Sequence, residues 1–195
     1  MRTSILLALL TIATYSYSQT IIELDESGHP HKLTKKPAPT FKAKTLDNKE
    51  INLEDLKEKI VLFDFWSLSC GACFKEIPEF NDIVKKYPKD KFVLISLMDN
   101  TTEQLLERFE IVNDGYKMKK PVYGNDKIDF QIIPNGKEIM KLYTDDLVFP
   151  RAFIINQEGI ITFHFEGYGP KNTYGSLSSS NMFEDEIERL LGASR

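Results

Sequence analysis

Cysteine is scarce in this sequence, with two residues in a chain of 195. That excludes a disulfide-dense scaffold, which needs several bridges to replace a core. Positive charge is also in deficit: 25 Lys and Arg stand against 29 Asp and Glu, a net charge of −4. A nucleic-acid binder, which gathers phosphates on a basic face, is not expected from that balance. Long apolar runs are missing too. The nine residues from Ile5 to Ala13 fall well short of the roughly 20 that a spanning helix takes, and no later stretch is long enough. There is no G-x-x-x-x-G-K loop, no G-x-G-x-x-G and no H-E-x-x-H. Yet 42% of the residues are hydrophobic, too many for a disordered chain. The length suits one domain with a real core.

The N-terminus has the build of an export signal. Arg2 supplies positive charge, Ile5 to Ala13 the apolar stretch, and Ser16-Tyr17-Ser18 the small residues ahead of a cut before Gln19. Residues 1–18 are thus expected to be removed. With no Cys after the apolar stretch, lipid attachment is not expected, and the mature protein should be soluble and exported without a transmembrane anchor. Residues 19–36 mix charges, Gly and Pro and read as an extension ahead of a domain at 37–195. His29 and His31 within it are expected in a solvated loop, not as metal ligands.

From Pro37 the pattern becomes regular. Residues 40–46 and 49–53 flank Asp47-Asn48 and read as a hairpin. Ile60 to Trp66 (IVLFDFW) is a nearly continuous apolar run, as in a strand buried on both faces. After Cys70 the period becomes helical. Phe74, Ile77, Phe80, Ile83, Val84 and Tyr87 share one face, Pro88 ends the helix, and Pro78 should kink it. Phe92 to Met98 is a second buried strand. Thr101 with Gln104 makes a capping box for a helix through about Val112. A short strand at 121–123, a helix at 136–143, and strands at 151–156 and 160–165 around a Gln157-Glu158-Gly159 turn follow. A Gly/Ser-rich loop at 167–180 leads to a last helix around 182–191, capped by Asn181 and Glu184. This order predicts an α/β sandwich.

The two cysteines, Cys70 and Cys73, lie where the buried strand gives way to a helix N-terminus. A zinc site would need two further ligands, and only His29, His31 and His164 exist. A structural staple closing so short a loop removes little unfolded-state entropy. A dithiol–disulfide couple fits the surroundings, because unpaired N–H groups and the helix dipole favour a thiolate at Cys70. Cys73, one turn in, would be the less exposed, resolving thiol. It must lose a proton to act, so a nearby base is expected. Asp64, inside the apolar strand, is the first candidate and should have a raised pKa; facing solvent or pairing with a Lys is the alternative. Glu76, one turn beyond Cys73, is the second, unless it is simply a solvated helix residue.

Phe65 to Pro78 (FWSLSCGACFKEIP) resembles the F-W-x-x-W-C-x-P-C-x-x-E-x-P signature of the thioredoxin-like TlpA/ResA group, bacterial envelope thiol–disulfide oxidoreductases. Ala38-Pro39-Thr40-Phe41 resembles the group's A-P-x-F opening, and Phe149 to Asn156 with Gly159 its x-P-x-x-F-x-I-D-x-x-G segment. The resemblance covers about residues 37–192. It implies a thioredoxin-like three-layer α/β/α sandwich with a central mixed sheet, an N-terminal hairpin, and a helix/strand insertion before a cis proline at Pro150. It further implies a periplasmic or envelope location, no cofactor and no metal. The partners would be a disulfide-containing protein substrate, bound at Trp66, Phe149 and Pro150, and a membrane-bound electron donor. Ser69 and Ala72 depart from the group's aromatic and Pro at those positions, so the reduction potential does not carry over. Two other functions share parts of the pattern: a redox-sensitive binding or chaperone module without turnover, and a peroxiredoxin-type peroxidase. The latter's P-x-x-x-T-x-x-C site would put Pro where Phe63 stands.

Overall fold

In the computed structural model, residues 31–167 and 179–192 are described. The expected signal at 1–18, His29 and most of the Gly/Ser-rich loop lie outside them. A short hairpin opens the domain: β1 (Lys42–Lys44) pairs antiparallel with β2 (Glu50–Asn52). Its turn places Asn48 at φ 63°, a left-handed conformation that Asn tolerates better than most residues. A 3-10 turn (Leu53–Leu56) leads to β3 (Ile60–Trp66), in which every residue is buried.

Around β3 a five-stranded sheet forms in the order β10-β9-β3-β4-β8. Here β4 is Phe92–Met98, β8 Gln131–Ile133, β9 Arg151–Ile155 and β10 Ile161–Glu166. The β3/β4 and β4/β8 pairs are parallel, whereas β9 runs antiparallel to both β3 and β10. Side chains alternate across such strands, and β3 divides accordingly. Ile60, Leu62 and Trp66 join a core with Cys73, Ile77, Phe80 and Ile83 of α1 (Gly71–Lys86) and Phe183 and Ile187 of α4 (Ser179–Leu190). Val61, Phe63 and Phe65 join a second core with Met140 and Tyr143 of α3 (Lys137–Tyr143). Helices on both faces of a mixed sheet make the three-layer sandwich expected from the sequence. The helix α1 passes unbroken through the exposed Pro78, whose missing N–H costs one internal hydrogen bond.

Three expectations need correction. The capping box at Thr101 and Gln104 is present, but its helix, α2 (Thr102–Arg108), stops short of Val112. Phe109–Val112 is instead a strand, β5, paired antiparallel with β6 (Gly115–Val122), which pairs in turn with β7 (Asn125–Ile128). Asp114 (φ 60°) and Gly115 (φ 149°) make the reversal, and a Cβ on Gly115 would sit 2.1 Å from the Ile128 carbonyl oxygen. Only glycine fits there. Secondly, Asn181 lies inside α4, not before it, and Glu184 pairs with Lys86 instead of closing a cap. Thirdly, His31 is half-buried, with its ring 4.1 Å from that of His164 and 5.0 Å from that of Phe153. The extension's end is therefore packed on the sheet. The Lys35 N–H donates to the Ile161 carbonyl (2.7 Å) and the Ile161 N–H to the Lys36 carbonyl (3.0 Å).

Candidate active site

The chain leaves β3 at Trp66 and enters α1 through Ser67-Leu68-Ser69-Cys70. Three hydrogen bonds shape this crossing. The Leu68 N–H donates to Asn100 Oδ1 (2.8 Å), the Ser67 and Ser69 hydroxyls meet at 3.0 Å, and the Cys70 N–H donates to the Ser67 carbonyl (3.0 Å). Ser69, which departs from the TlpA/ResA pattern, is exposed and bonded within the loop. Cys70 then caps the helix: its Sγ accepts from the Cys73 N–H at 3.1 Å. An N-terminal N–H aimed at sulfur is the arrangement that stabilises a thiolate there. Cys70 and Cys73 are joined as a disulfide, their Cα atoms 5.4 Å apart. Cys70 is half-buried, whereas Cys73 is only 3% exposed.

Strand alternation puts Asp64 on the same face of β3 as Leu62 and Trp66, beneath α1. Its register neighbours are Ser96 on β4 and Ala152 on β9. The carboxyl is buried and accepts one hydrogen bond, from Ser96 Oγ (2.8 Å), while its other oxygen has no partner. Burial is the main cause that pushes its pKa up to about 7, against the smaller downward pull of the Ser96 bond. Exposure or a Lys partner is thus overturned for Asp64. The solvated reading of Glu76 falls as well, because this side chain is 3% exposed. Its carboxyl is held well above the usual range, first by burial, then by the charges of Asp64 and Glu79. Two carboxyls in one apolar region cannot both ionise cheaply, so their titrations belong to the pair.

The antiparallel register of β9 on β3 pairs Arg151 with Phe65. Pro150, one residue earlier, therefore stands just ahead of β9, level with the end of β3 where the cysteine loop begins. The Phe149–Pro150 peptide bond is cis. Phe149 is half-buried and packs against both cores, and Pro150 is buried. Trp66, expected at the binding surface, is 1% exposed. Its ring stands edge-on to Phe74 at 5.4 Å, so it supports the site from below and offers no surface to a substrate. The reason is its even place on β3, which turns it under α1.

Sequence reasoning passed over Ser96 and Asn100, and understated Arg151. Ser96 lies within the apolar strand β4 and Asn100 just beyond it, with no spacing to mark either. Arg151 is 4% exposed on its side chain, and Nη1 lies 2.7 Å from Asp146 Oδ1. The guanidinium also donates to Thr144 Oγ1 and Glu166. It therefore ties the loop that carries Phe149 and Pro150 to β10. Among the described residues no group of three His, Cys, Asp or Glu side chains is placed to hold a metal ion.

The arrangement can carry out exchange of two electrons between a dithiol and a disulfide. Comparison with known proteins points the same way. The AhpC/TSA family profile matches residues 34–164. The chain is 31% identical over 132 residues to the thiol-disulfide oxidoreductase ResA of Bacillus thuringiensis subsp. konkukian, covering 68% of this chain and 69% of that protein. Among solved structures, a Chlorobium tepidum protein described as thiol:disulfide interchange protein DsbE is similar with a TM-score of 0.63 at 20% identity, covering 82% of this chain and 98% of that one. The reduced 2-Cys peroxiredoxin of Plasmodium vivax is similar with a TM-score of 0.61 at 21% identity, covering 82% and 97%. At those identities the two structures speak for the fold alone.

Proposed function

This chain belongs to the AhpC/TSA family and groups with its ResA-type thiol–disulfide oxidoreductases, and we propose that it is exported and reduces protein disulfides through Cys70 and Cys73. The observation that carries the reading is the cysteine pair at a helix N-terminus above a buried carboxyl whose pKa is raised to about 7.

The reaction starts from the reduced pair. The Cys70 thiolate attacks one sulfur of a client disulfide, forming a mixed disulfide and expelling the other client sulfur as a thiolate. Cys73 is buried and would stay protonated without help. Asp64, poised near neutral pH, takes that proton, with Glu76 as the neighbouring second acceptor. The Cys73 thiolate then attacks Cys70 Sγ, breaking the mixed disulfide and releasing the second client sulfur. The two client thiolates collect two protons. Two electrons have passed to the client, and the protein is left in the disulfide form. A membrane-bound dithiol donor returns it to the reduced form. The client chain lies extended against the Phe149 backbone beside Pro150, as the family resemblance implies. Export rests on the signal-like residues 1–18.

The test is trapping. A Cys73→Ser variant, with no resolving thiol, should accumulate a mixed disulfide between Cys70 and a disulfide substrate. If Cys70 captures nothing, the mechanism is wrong. Direction is read from the reduction potential: a value near about −270 mV supports a reductase, and one near about −120 mV would make the protein an oxidant.

A further inference from the structure

The three-stranded insertion β5-β6-β7 has no part in the exchange chemistry, yet its tip reaches the cysteine loop. The β6–β7 reversal consists of Tyr123 (φ 53°) and Gly124 (φ 78°). A two-residue hairpin turn of this kind takes positive φ at both positions, and here a tyrosine fills the first, placing a ring at the tip. Tyr123 is also 65% exposed, the most exposed of the large apolar side chains described. Its hydroxyl lies 3.6 Å from where a Cβ on Gly71 would stand. Lys75 Nζ, on the next turn of α1, lies 5.3 Å from the ring centre.

This contact is built, because the far end of the hairpin is fixed to the same helix. Buried Asn81 donates from Nδ2 to the Lys127 carbonyl (2.8 Å) and accepts from the Asp129 N–H (2.8 Å). From Asn81 back to Gly71, α1 rises about 15 Å. From Ile128 to Asn125 the strand covers about 10 Å, and the Tyr123-Gly124 reversal reaches beyond it. β7 thus leads from Asn81 toward the start of α1, where its tip stands against Gly71, the residue that follows Cys70.

We propose that Tyr123 is a specificity-determining residue, an aromatic wall against which the client chain packs beside its attacked cysteine. The inference rests on the exchange reaction proposed above. Around Cys70 the loop's own residues are small: Ser69, Gly71 and Ala72. Phe149 packs against the same core as Cys70, and its neighbour Val148 is 46% exposed. A client attacked at Cys70 meets the Tyr123 ring beside Gly71, the next residue of the chain. The fitting partner is a polypeptide disulfide with an apolar or aromatic residue next to the cysteine, since offset and edge-on ring contacts reward such a neighbour. A small organic disulfide reaches Cys70 without touching the ring.

The test compares the full chain with its Tyr123→Ala and Tyr123→Phe variants on two probes, insulin and 2-hydroxyethyl disulfide. Tyr123→Ala should lower kcat/KM on insulin about fivefold, as expected for loss of one ring contact. It should leave 2-hydroxyethyl disulfide within about twofold, and Tyr123→Phe should retain insulin turnover. An unchanged insulin rate in Tyr123→Ala, or an equal fall on both probes, overturns the role of Tyr123 while the exchange reaction stands. Failure of the unaltered chain to reduce either probe overturns the exchange reaction itself.

Discussion

Replacing Asp64 with Asn should stabilise the folded protein at neutral and alkaline pH, and do so less and less as the solution is made acid. Burial raises the Asp64 carboxyl from 3.8 to about 7. Between those values the folded chain holds a proton that the unfolded chain has released, so stability falls as pH rises through that window. At about 1.4 kcal/mol per pH unit, the accumulated penalty above pH 7 is about 4 kcal/mol. Asn carries none of it, and its side-chain carbonyl can still accept from Ser96. Any weakening of that bond costs about 1 kcal/mol and does not vary with pH. Urea unfolding of the oxidised protein and of Asp64→Asn, from about pH 4 to about pH 8, measures the difference directly. The variant's advantage should grow by about 4 kcal/mol over that range, most of it below pH 7. Glu76 adds to the rise, because removing the Asp64 charge also relieves its carboxyl. A difference that is flat with pH, or a variant less stable than the parent at pH 8, would refute an ionisable Asp64 in an apolar interior. In single-turnover kinetics the same variant should slow decay of the mixed disulfide by about 10²-fold and leave the first attack by Cys70 unchanged. Equal slowing of both steps would remove Asp64 from the role of base.

Two further substitutions probe the frame around the site. Gly115→Ala forces a side chain into the Ile128 carbonyl at a φ that L residues avoid, and should cost about 3 kcal/mol in urea unfolding. Hydrogen exchange should show the loss of protection concentrated in β5, β6 and β7. Arg151→Met removes a buried guanidinium from Glu166 and Thr144 and should cost about 3–5 kcal/mol. Arg151→Lys should recover only part of that, because one ammonium cannot reach both partners at once; full recovery would contradict the brace described for the Phe149–Pro150 loop.

The sequence by itself determined the frame. The apolar runs of β3 and β4 and the 3.6-residue period after Cys70 could only be satisfied by buried strands and a one-sided helix, because those patterns are dictated by local geometry. It also determined that both cysteines belong to one site, since the chain has no others. The insertion was illegible for a physical reason. Phe109 to Val112 extends the apolar period of α2 closely enough to read as helix, and only pairing with β6 across the Asp114-Gly115 reversal turns it into strand. Glu76 stayed open between base and solvated residue, and Trp66 was placed at the binding surface, for a related reason. Glutamate on a helix is normally solvated, and a tryptophan beside a reactive cysteine invites a role in binding. Whether either faces water depends on what packs against it, which local pattern does not contain. Tertiary structure decided the rest: that β3 lays Asp64 and Trp66 under α1, that Ser96 and Ala152 close around the carboxyl, and that a hairpin anchored at Asn81 ends against Gly71. Each is a contact between segments distant in the chain, set by the register of the sheet and the lengths of the elements.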